Sequence, residues 1–190
     1  SPAAANDGPL CTGSMLHLTA SVVSGALYNW SGPNGFAVTT QNPVLNNVTL
    51  AAAGTYTVTA TIAGCVSLPA QTTVAVNQTP RVPATGSNGP VCANTNINLT
   101  ASFITNATYS WTGPNGFSST SQNPVINAAT IAAGGTYTVT VTAGTCNNTN
   151  TVNVIVKPTP VITIASQSNP TTCGANNGAI TISGLQNNTA

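Results

Sequence analysis

The feature that most constrains this fold is an internal repetition with a period of 81 residues. The phrase NWSGPNGF at 29–36 returns as SWTGPNGF at 110–117. Seven positions keep the same spacing: Cys11, Trp30, Pro33, Gln41, Pro43, Tyr56 and Cys65 recur as Cys92, Trp111, Pro114, Gln122, Pro124, Tyr137 and Cys146. A fixed period of this length indicates one structural unit that is used several times along the chain.

The repeat divides the chain into two units and part of a third. The units end in NQTP at 77–80 and KPTP at 157–160, and proline-containing segments suit short, stiff connections between domains. We expect one domain over residues 1–80, a second over 81–161, and the start of a further β-domain over 162–190. Since the sequence begins at Ser1 with no Met and no signal peptide, we expect a piece of a longer protein.

Each unit is predicted to consist of β-strands. LHLTA at 16–20 and TYTVTAT at 55–61 alternate apolar and polar residues, and so do their counterparts in the second unit. No window shows a sustained helical period. Several short strands within about 80 residues indicate an antiparallel β-sandwich. The apolar positions place these residues in the two cores: Tyr28, Trp30, Tyr56 and Val58, then Tyr109, Trp111, Tyr137 and Val139.

The repeated phrase has three candidate explanations: a ligand-binding loop, part of a catalytic site, or a hairpin that the domain needs in order to fold. Gly-Pro-Asn-Gly supplies a turn, because Pro has a fixed φ and both Asn and Gly can adopt a positive φ. A Trp in the third strand is typical of immunoglobulin-like sandwiches, and the Gly-Thr-Tyr at 54–56 and 135–137 predicts the tyrosine corner of that fold. We therefore interpret the phrase as a hairpin in an all-β chain of tandem immunoglobulin-like β-sandwich domains.

The order of these motifs resembles the Ig-like and PKD-like repeats of very large Bacteroidetes surface proteins, including gliding and adhesin proteins. The resemblance covers residues 8–160, from the first Cys through Tyr-x-Trp-x-Gly-Pro-Asn-Gly-Phe, Gln-Asn-Pro and Gly-Thr-Tyr-Thr-Val-Thr to the closing Cys. TTCGANNGAITISGL at 171–185 resembles the start of a related repeat. The resemblance implies an exported, extracellular or cell-surface protein, often an adhesin or a filament. Export by the type IX system would require a C-terminal signal domain, which these residues do not contain.

The cysteines agree with export. In each unit the two Cys lie 54 residues apart and flank the same strands. We predict the disulfides Cys11–Cys65 and Cys92–Cys146, and each would stabilise its domain by about 4 kcal/mol in the chain-entropy model. Cys173 keeps the 81-residue phase but has no partner in the sequence, because its mate would fall near position 227. A zinc site is disfavoured, since the sequence lacks a Cys-x-x-Cys pair.

The composition argues against catalysis and nucleic-acid binding. Charged residues make up 2% of the chain, and there is no Glu, so the carboxylate pair of glycoside hydrolysis cannot form. A Ser-His-Asp set would have to use Asp7 and His17. However, His17 is predicted on the outward face of a strand, and Asn98 replaces it in the second unit. Phosphate neutralisation needs clustered Lys and Arg, whereas the chain has only Arg81 and Lys157.

Other classes of site are equally disfavoured. Calcium sites need clustered carboxylates, which this sequence lacks. No apolar run reaches the roughly 18 residues of a membrane span. We therefore expect a protein that is not an enzyme, with no catalytic residue, no metal and no cofactor.

The scarcity of charge favours association, because soluble domains normally carry several net charges that keep them dispersed. Our leading interpretation is a structural repeat segment of an extracellular filament or a cell-surface fibre or adhesin, which self-associates or continues in a longer chain. The alternative is a carbohydrate- or surface-binding Ig-like module of an adhesin or secreted enzyme. Its candidate contacts with a glycan or a surface are two rows of outward Thr side chains: Thr55, Thr57, Thr59, Thr61, Thr136, Thr138, Thr140 and Thr142. Thr also suits an exposed strand face that binds nothing.

The tail is too short to form a domain. VITIAS at 161–166 and GAITISG at 178–184 are predicted to be two strands, and an isolated pair of strands is marginally stable in water. The tail is therefore completed either by continuation of the same polypeptide or by strands of a neighbouring chain. We favour continuation, because Cys173 keeps the phase of the repeat.

Overall fold

The computed structural model describes residues 1–169, 171–173 and 177–183. Positions 170, 174–176 and 184–190 of the predicted third unit lie outside the described residues. The described part consists of β-strands, turns and four single-turn 3-10 segments, at Pro33–Gly35, Leu50–Ala52, Pro114–Gly116 and Ile131–Ala133. In that part of the chain, no helix is long and apolar enough to cross a bilayer.

The first repeat forms two facing sheets. Its strands are β1 (Ala4–Asn6), β2 (Leu10–Cys11), β3 (Leu16–Ala20), β4 (Leu27–Ser31), β5 (Ala37–Val38), β6 (Val44–Leu45), β7 (Gly54–Ile62), β8 (Cys65–Val66), β9 (Ala70–Val74) and β10 (Val76–Asn77). One sheet has the order β1-β3-β6, and the other has the order β5-β4-β7 with both β8 and β9 paired to β7. These pairs are antiparallel, whereas the last strand, β10, pairs parallel to β2.

The second repeat has the same architecture. Its strands are β11 (Thr85–Ser87), β12 (Val91–Cys92), β13 (Ile97–Ala101), β14 (Thr108–Thr112), β15 (Ser118–Ser119), β16 (Val125–Ile126), β17 (Gly135–Ala143), β18 (Cys146–Val154) and β19 (Val156–Lys157). The sheets are β11-β13-β16 and β15-β14-β17-β18, and β12 pairs parallel to β19. Residues 4–157 therefore form an all-β tandem of two sandwiches.

Each sandwich has its own apolar core. In the first repeat, Leu16 and Leu18 of β3 face Trp30 of β4 and Val58 of β7, and all four are fully buried. The second repeat buries Ile97, Leu99, Trp111 and Val139 in the same way. The tyrosines assigned to the cores are buried as well: Tyr28, Tyr56, Tyr109 and Tyr137. This arrangement follows from alternation, since successive strand residues point to opposite faces of a sheet.

The two repeats differ in the strand that follows β7 in the first repeat and β17 in the second. In the second repeat β18 is continuous over Cys146–Val154, but the first repeat divides the same stretch into β8 and β9. The intervening segment holds one additional residue and Pro69, which has no N–H to donate to the ladder. Ser67 satisfies the backbone of Ala60 at this interruption: Ser67 N–H donates to Ala60 O at 2.8 Å, and Ser67 Oγ accepts from Ala60 N at 3.0 Å.

The third unit contributes one antiparallel hairpin, formed by β20 (Thr163–Ser168) and β21 (Ala179–Ser183). The prediction placed these strands at 161–166 and 178–184, and position 184 lies outside the described residues. Ile164, Ile180 and Ile182 are 51 to 67% exposed, so the hairpin has no core among the residues that the structure describes. The two strands pair antiparallel, as β1 does with β3 and β11 with β13, but their register shifts between Ile164 and Ser166.

Candidate functional site

The repeated phrase forms a tight connection from β4 to β5. Asn34 and Gly35 have φ values of 53° and 72°, and Asn115 and Gly116 in the second repeat have 55° and 72°. These are left-handed conformations, which glycine and asparagine adopt most readily. The hairpin interpretation of Gly-Pro-Asn-Gly is therefore confirmed.

The side chains of the repeated Trp and Gln both donate hydrogen bonds to backbone carbonyls, the Trp to the carbonyl of the Gln. Trp30 Nε1 donates to Gln41 O at 3.1 Å, and Gln41 Nε2 donates to Ala20 O at 2.8 Å. Trp111 and Gln122 repeat both bonds, at 3.2 and 2.7 Å. A buried indole N–H requires such an acceptor. The Gln-Asn-Pro motif thus serves the Trp of its own domain.

The repeated Tyr forms a tyrosine corner. Tyr56 OH donates to Ala52 O at 2.9 Å, and Tyr137 OH donates to Ala133 O at 2.6 Å. Burial raises the pKa of both phenols, so they remain neutral hydrogen-bond donors at physiological pH. The ring also explains a repeated glycine, because a Cβ on Gly32 would lie 2.4 Å from Tyr56 Cδ1.

Two polar side chains of the phrase are thus used in folding: Trp30 donates to Gln41 O, and Asn34 Nδ2 donates to Ala51 O at 2.6 Å. Among the described residues, no buried side-chain nitrogen or oxygen lacks a hydrogen-bond partner. A preorganised ligand site would normally present polar groups that converge on an open cleft. The phrase therefore presents a hairpin and half of a core rather than a binding loop.

Gly32→Ala tests this interpretation. The added methyl group should clash with the ring of Tyr56 and destabilise the first repeat by about 1–3 kcal/mol. Urea unfolding of the variant measures the loss. Ser31→Ala is the matched control, since the neighbouring Ser31 is exposed and its loss should change stability by less than about 0.5 kcal/mol. Equal stability of the two variants would contradict the packing role of Gly32.

Asp7 and His17 form an exposed structural pair. His17 Nδ1 lies 2.6 Å from Asp7 Oδ2, and the backbone N–H of His17 donates to Asp7 Oδ1 at 3.0 Å. Desolvation alone raises the pKa of Asp7, but the hydrogen bonds from His17 outweigh it and hold the pKa below its usual value. In the second repeat Asn88 Oδ1 accepts from Asn98 N at 2.8 Å. Because an amide makes the same backbone contact, the pair does not need acid–base chemistry.

Asp7→Asn should therefore leave the fold intact, with a change in unfolding free energy of less than about 0.5 kcal/mol at neutral pH. The lowered pKa means that the small contribution of Asp7 is present above the unfolded pKa and is lost as the pH falls through the folded pKa. Wild type and variant should converge at acidic pH in thermal unfolding. A large loss at pH 7 would contradict the equivalence with Asn88.

The disulfide pairing differs from the prediction. Cys11 is bonded to Cys146, across a Cα–Cα distance of 5.7 Å and a sequence separation of 135 residues. Cys65, Cys92 and Cys173 are free and exposed. The predicted pairs Cys11–Cys65 and Cys92–Cys146 are therefore wrong in this structure, and the observed bond joins the two repeats.

The physical reason is the position of each Cys along the sandwich. Cys11 lies beside Asn77, just past the end of β9 that pairs with Gly54. Cys65 pairs with Ile62, at the opposite end of β7. The eight residue steps of β7 span about 27 Å, and a disulfide needs Cα atoms within about 7 Å. The same argument separates Cys92 from Cys146 in the second repeat.

The junction between the repeats is where Cys11 and Cys146 meet. Cys146 is the first residue after the β17–β18 turn, and this turn touches the last strand of the first repeat. Asn77 Nδ2 donates to Thr145 Oγ1 at 3.0 Å, and Cys146 Sγ lies 3.8 Å from Asn77 O. Cys146 is 1% exposed as a result. One end of the first repeat thus contacts the hairpin tip of the second.

Amide side chains of β18 hold the connecting segment. Asn148 Nδ2 donates to Pro80 O at 3.2 Å, and Asn150 Nδ2 donates to Pro83 O at 2.8 Å. Arg81 reaches from the same segment to Phe103 O at 3.0 Å. These bonds fix the path of the chain between the sandwiches, because they tie carbonyls on both sides of Arg81.

Sequence reasoning missed this junction, although one signal was present. Each repeat has one Cys at the position of Cys11 and one at the position of Cys65. The 54-residue spacing is therefore compatible with bonds within a repeat or between repeats. The discriminating signal is that Cys65 directly follows a long strand that starts at the tyrosine corner. That strand carries Cys65 away from the end where Cys11 lies.

Comparisons with known proteins agree on the fold. Residues 81–157 match the family model of the PKD domain. The chain resembles the N-terminal eight Ig domains of Down Syndrome Cell Adhesion Molecule, with 14% identity, a TM-score of 0.59, and coverage of 89% of this chain and 25% of that one. It also resembles extracellular domains 3–5 of Drosophila OTK, with 15% identity, a TM-score of 0.51, and coverage of 83% and 62%.

A third similar structure is that of a mouse coronavirus receptor-binding domain complexed with its murine receptor, with 14% identity, a TM-score of 0.50, and coverage of 82% of this chain and 100% of that one. No curated protein sequence matches the chain. At identities this low, the likeness establishes architecture, and one architecture serves many functions. The chain is thus a tandem of Ig-like β-sandwich domains, the second of which matches the PKD domain.

Proposed function

We propose that this chain is a non-catalytic structural segment of an extracellular filament or a cell-surface fibre or adhesin. The observation that carries the proposal is the covalent head-to-tail junction, in which Cys11 of the first repeat is bonded to Cys146 of the second. A disulfide between domains resists their separation under load. Such bonds persist in oxidising compartments outside the cytosol, which supports an exported location.

The surface chemistry supports the same role. The chain carries three charged residues and a formal net charge of +1. Uncharged Thr and Asn faces can pack against neighbouring copies without desolvating ions, whose removal from water is costly. The similar structures named above include a cell adhesion molecule and a receptor complex, which suits an adhesion-type module at the cell surface.

Electron microscopy of material from the native source tests the proposal. Antibody raised against the chain should label filaments or surface fibres that extend well beyond one pair of domains. Mechanical unfolding of the purified chain should show that reducing agent allows the two repeats to separate. Labelling confined to discrete, non-fibrous particles would overturn the fibre role.

A binding module is the second candidate, and the outer face of the second repeat favours it. Four Thr of β17 lie opposite polar residues of β18, with Thr140 paired to Thr149 and Thr138 to Thr151. The result is an array of hydroxyl and amide groups without charge. Such an array can hydrogen-bond a polysaccharide or another polar surface.

Polysaccharide pull-down distinguishes this candidate from the fibre. Thr140→Lys together with Thr149→Lys would disrupt the array, and Thr105→Lys, at an exposed loop position, is the matched control. Binding that is lost only in the double variant would support a glycan-binding face. Absence of binding by the wild-type chain would remove the candidate.

A further inference from the structure

We propose that Cys65 and Cys92 are half-cystines of the same inter-repeat junction. Cys65 bonds to the preceding repeat of the same polypeptide, and Cys92 bonds to the following one. The inference deepens the proposed function, because it identifies what covers the two ends of this pair of domains. The two proposals fail separately, since fibres that lack these bonds would overturn only the cross-links.

The first step is structural equivalence between Cys92 and Cys11. Each is the second residue of a two-residue strand that pairs parallel to the last strand of its repeat, Cys11 opposite Asn77 and Cys92 opposite Lys157. The following N–H repeats the contact as well: Thr12 N donates to Asn77 O at 2.9 Å, and Ala93 N donates to Lys157 O at 2.7 Å. Cys92 therefore occupies the position that forms the bond in the first repeat.

The second step is equivalence between Cys65 and Cys146. Both directly follow a two-residue hairpin turn, and they pair with Ile62 and Ala143 respectively. Their surroundings differ in two respects. Cys146 begins a continuous strand, β18, whereas Cys65 begins the two-residue strand β8. Cys146 is 1% exposed because the first repeat covers it, whereas Cys65 is exposed. Cys65 thus occupies the position of the junction cysteine, but among the described residues no other repeat covers it.

The surface around Cys65 supplies an independent observation. A groove beside it is lined by Val23, Ile62 and Val66. In the second repeat the equivalent positions Ile104 and Ala143 line a groove whose other wall is Gln78–Arg81, the segment that leaves the first repeat. The occupant of the first groove is therefore the corresponding segment of a preceding repeat.

Exposed apolar side chains mark the same end of the first repeat. Val22, Leu27 and Val66 are 81, 76 and 64% exposed. Val22 corresponds to Phe103, which lines the groove beside Gln78–Arg81, whereas the equivalents of Leu27 and Val66 are Thr108 and Asn147. Two of the three positions are therefore more apolar in the first repeat. Leu27 and Val66 both pair with Thr61 and so flank it on the two neighbouring strands. Exposed apolar side chains grouped in this way indicate a covered interface.

The chemistry is an ordinary thiol–disulfide exchange. The thiolate of Cys92 attacks a small-molecule or protein disulfide, which forms a mixed disulfide and releases one thiol. The hairpin-tip Cys of the next repeat then attacks the Cys92 sulfur and releases the second thiol. Two protein thiols are oxidised, one external disulfide is reduced to two thiols, and two protons move from protein to thiol products.

Disulfide mapping of the polypeptide isolated from its native source tests the proposal. Free thiols are blocked with iodoacetamide, the chain is digested without reduction, and cross-linked peptides are sequenced by mass spectrometry. We expect the Cys65 and Cys92 peptides each to be linked to a peptide from another repeat of the same chain, with no carbamidomethyl label on either residue.

The 190-residue chain on its own is the matched control. After equilibration with glutathione disulfide and thiol, iodoacetamide should label Cys65, Cys92 and Cys173 and spare Cys11 and Cys146. Labelled Cys65 or Cys92 in the native polypeptide would overturn the proposal, and so would a bond from either to its own repeat. A bond between Cys92 and Cys65 of a separate chain would overturn the same-chain arrangement.

Discussion

Replacing Cys11 and Cys146 together with Ser should destabilise each repeat by about 4 kcal/mol, because the bond closes a loop of about 70 residues around whichever repeat is unfolded. Once the first repeat is folded, Cys11 is held beside Asn77. The disulfide then closes a loop that runs only from Asn77 to Cys146, about 70 residues, around an unfolded second repeat. When the second repeat is folded instead, Asn148 holds Pro80 near Cys146, so the bond closes a loop of similar length from Cys11 to Pro80 around an unfolded first repeat. Removing the bond restores that conformational entropy to the unfolded chain.

Hydrogen exchange measured by mass spectrometry resolves the two repeats. Peptides from β17 and β18 should exchange on the order of 1,000-fold faster in the double variant, because 1.4 kcal/mol corresponds to a tenfold change. Peptides from β4 and β7 should exchange faster by a similar factor, because the bond closes a loop of the same length around the first repeat. Cys65→Ser with Cys92→Ser is the matched control, since both residues are free in this chain. Faster exchange of the second repeat in that control, rather than in the test variant, would contradict the observed pairing.

Trp30→Ala should destabilise the first repeat by about 3–5 kcal/mol. Trp30 is fully buried between the sheets, and its indole N–H is bonded to Gln41 O. The substitution leaves a large cavity and an unsatisfied carbonyl in the same core. Since the total stability of a domain is about 5–15 kcal/mol, a loss of this size leaves the first repeat partly unfolded under mild conditions.

Thermal unfolding followed by circular dichroism measures this loss, and the second repeat provides an internal reference. Leu68→Ala is the matched control, because Leu68 is 80% exposed and its removal should cost less than about 0.5 kcal/mol. Trp111→Ala should reproduce the effect in the second repeat. If Trp30→Ala retained full stability and lost binding to a ligand instead, the repeated phrase would be a recognition loop.

Most of the fold within one repeat could be predicted, because its signals are local. The alternation in LHLTA and TYTVTAT determines which side chains face inward, and the turn residues Asn34 and Gly35 determine where the chain reverses. The tyrosine corner needs only a Tyr near the start of its strand and a carbonyl four residues upstream. Each of these features depends on residues that are close in sequence, so the pattern alone is sufficient.

The candidate site could be predicted only in part. The pairing register of the sheets follows from burial, but the partner of a cysteine depends on where strand ends lie in space. Disulfides within a repeat and disulfides between repeats both fit the 54-residue spacing, since every repeat has a Cys at each of the two positions. The division of the strand after β7 into β8 and β9 was not predicted either. It depends on how one additional residue and Pro69 interrupt the hydrogen bonds to β7.

By itself, the sequence determined that this chain is a tandem of β-sandwiches with very few charged residues, whose Trp, Tyr and Gly motifs are used in folding. Only the tertiary structure decided that Cys11 bonds to Cys146. The physical reason is distance: β7 carries Cys65 about 27 Å from the end of the domain where Cys11 lies, while the stacking of one sandwich on the next brings the Cα of Cys146 to 5.7 Å from that of Cys11.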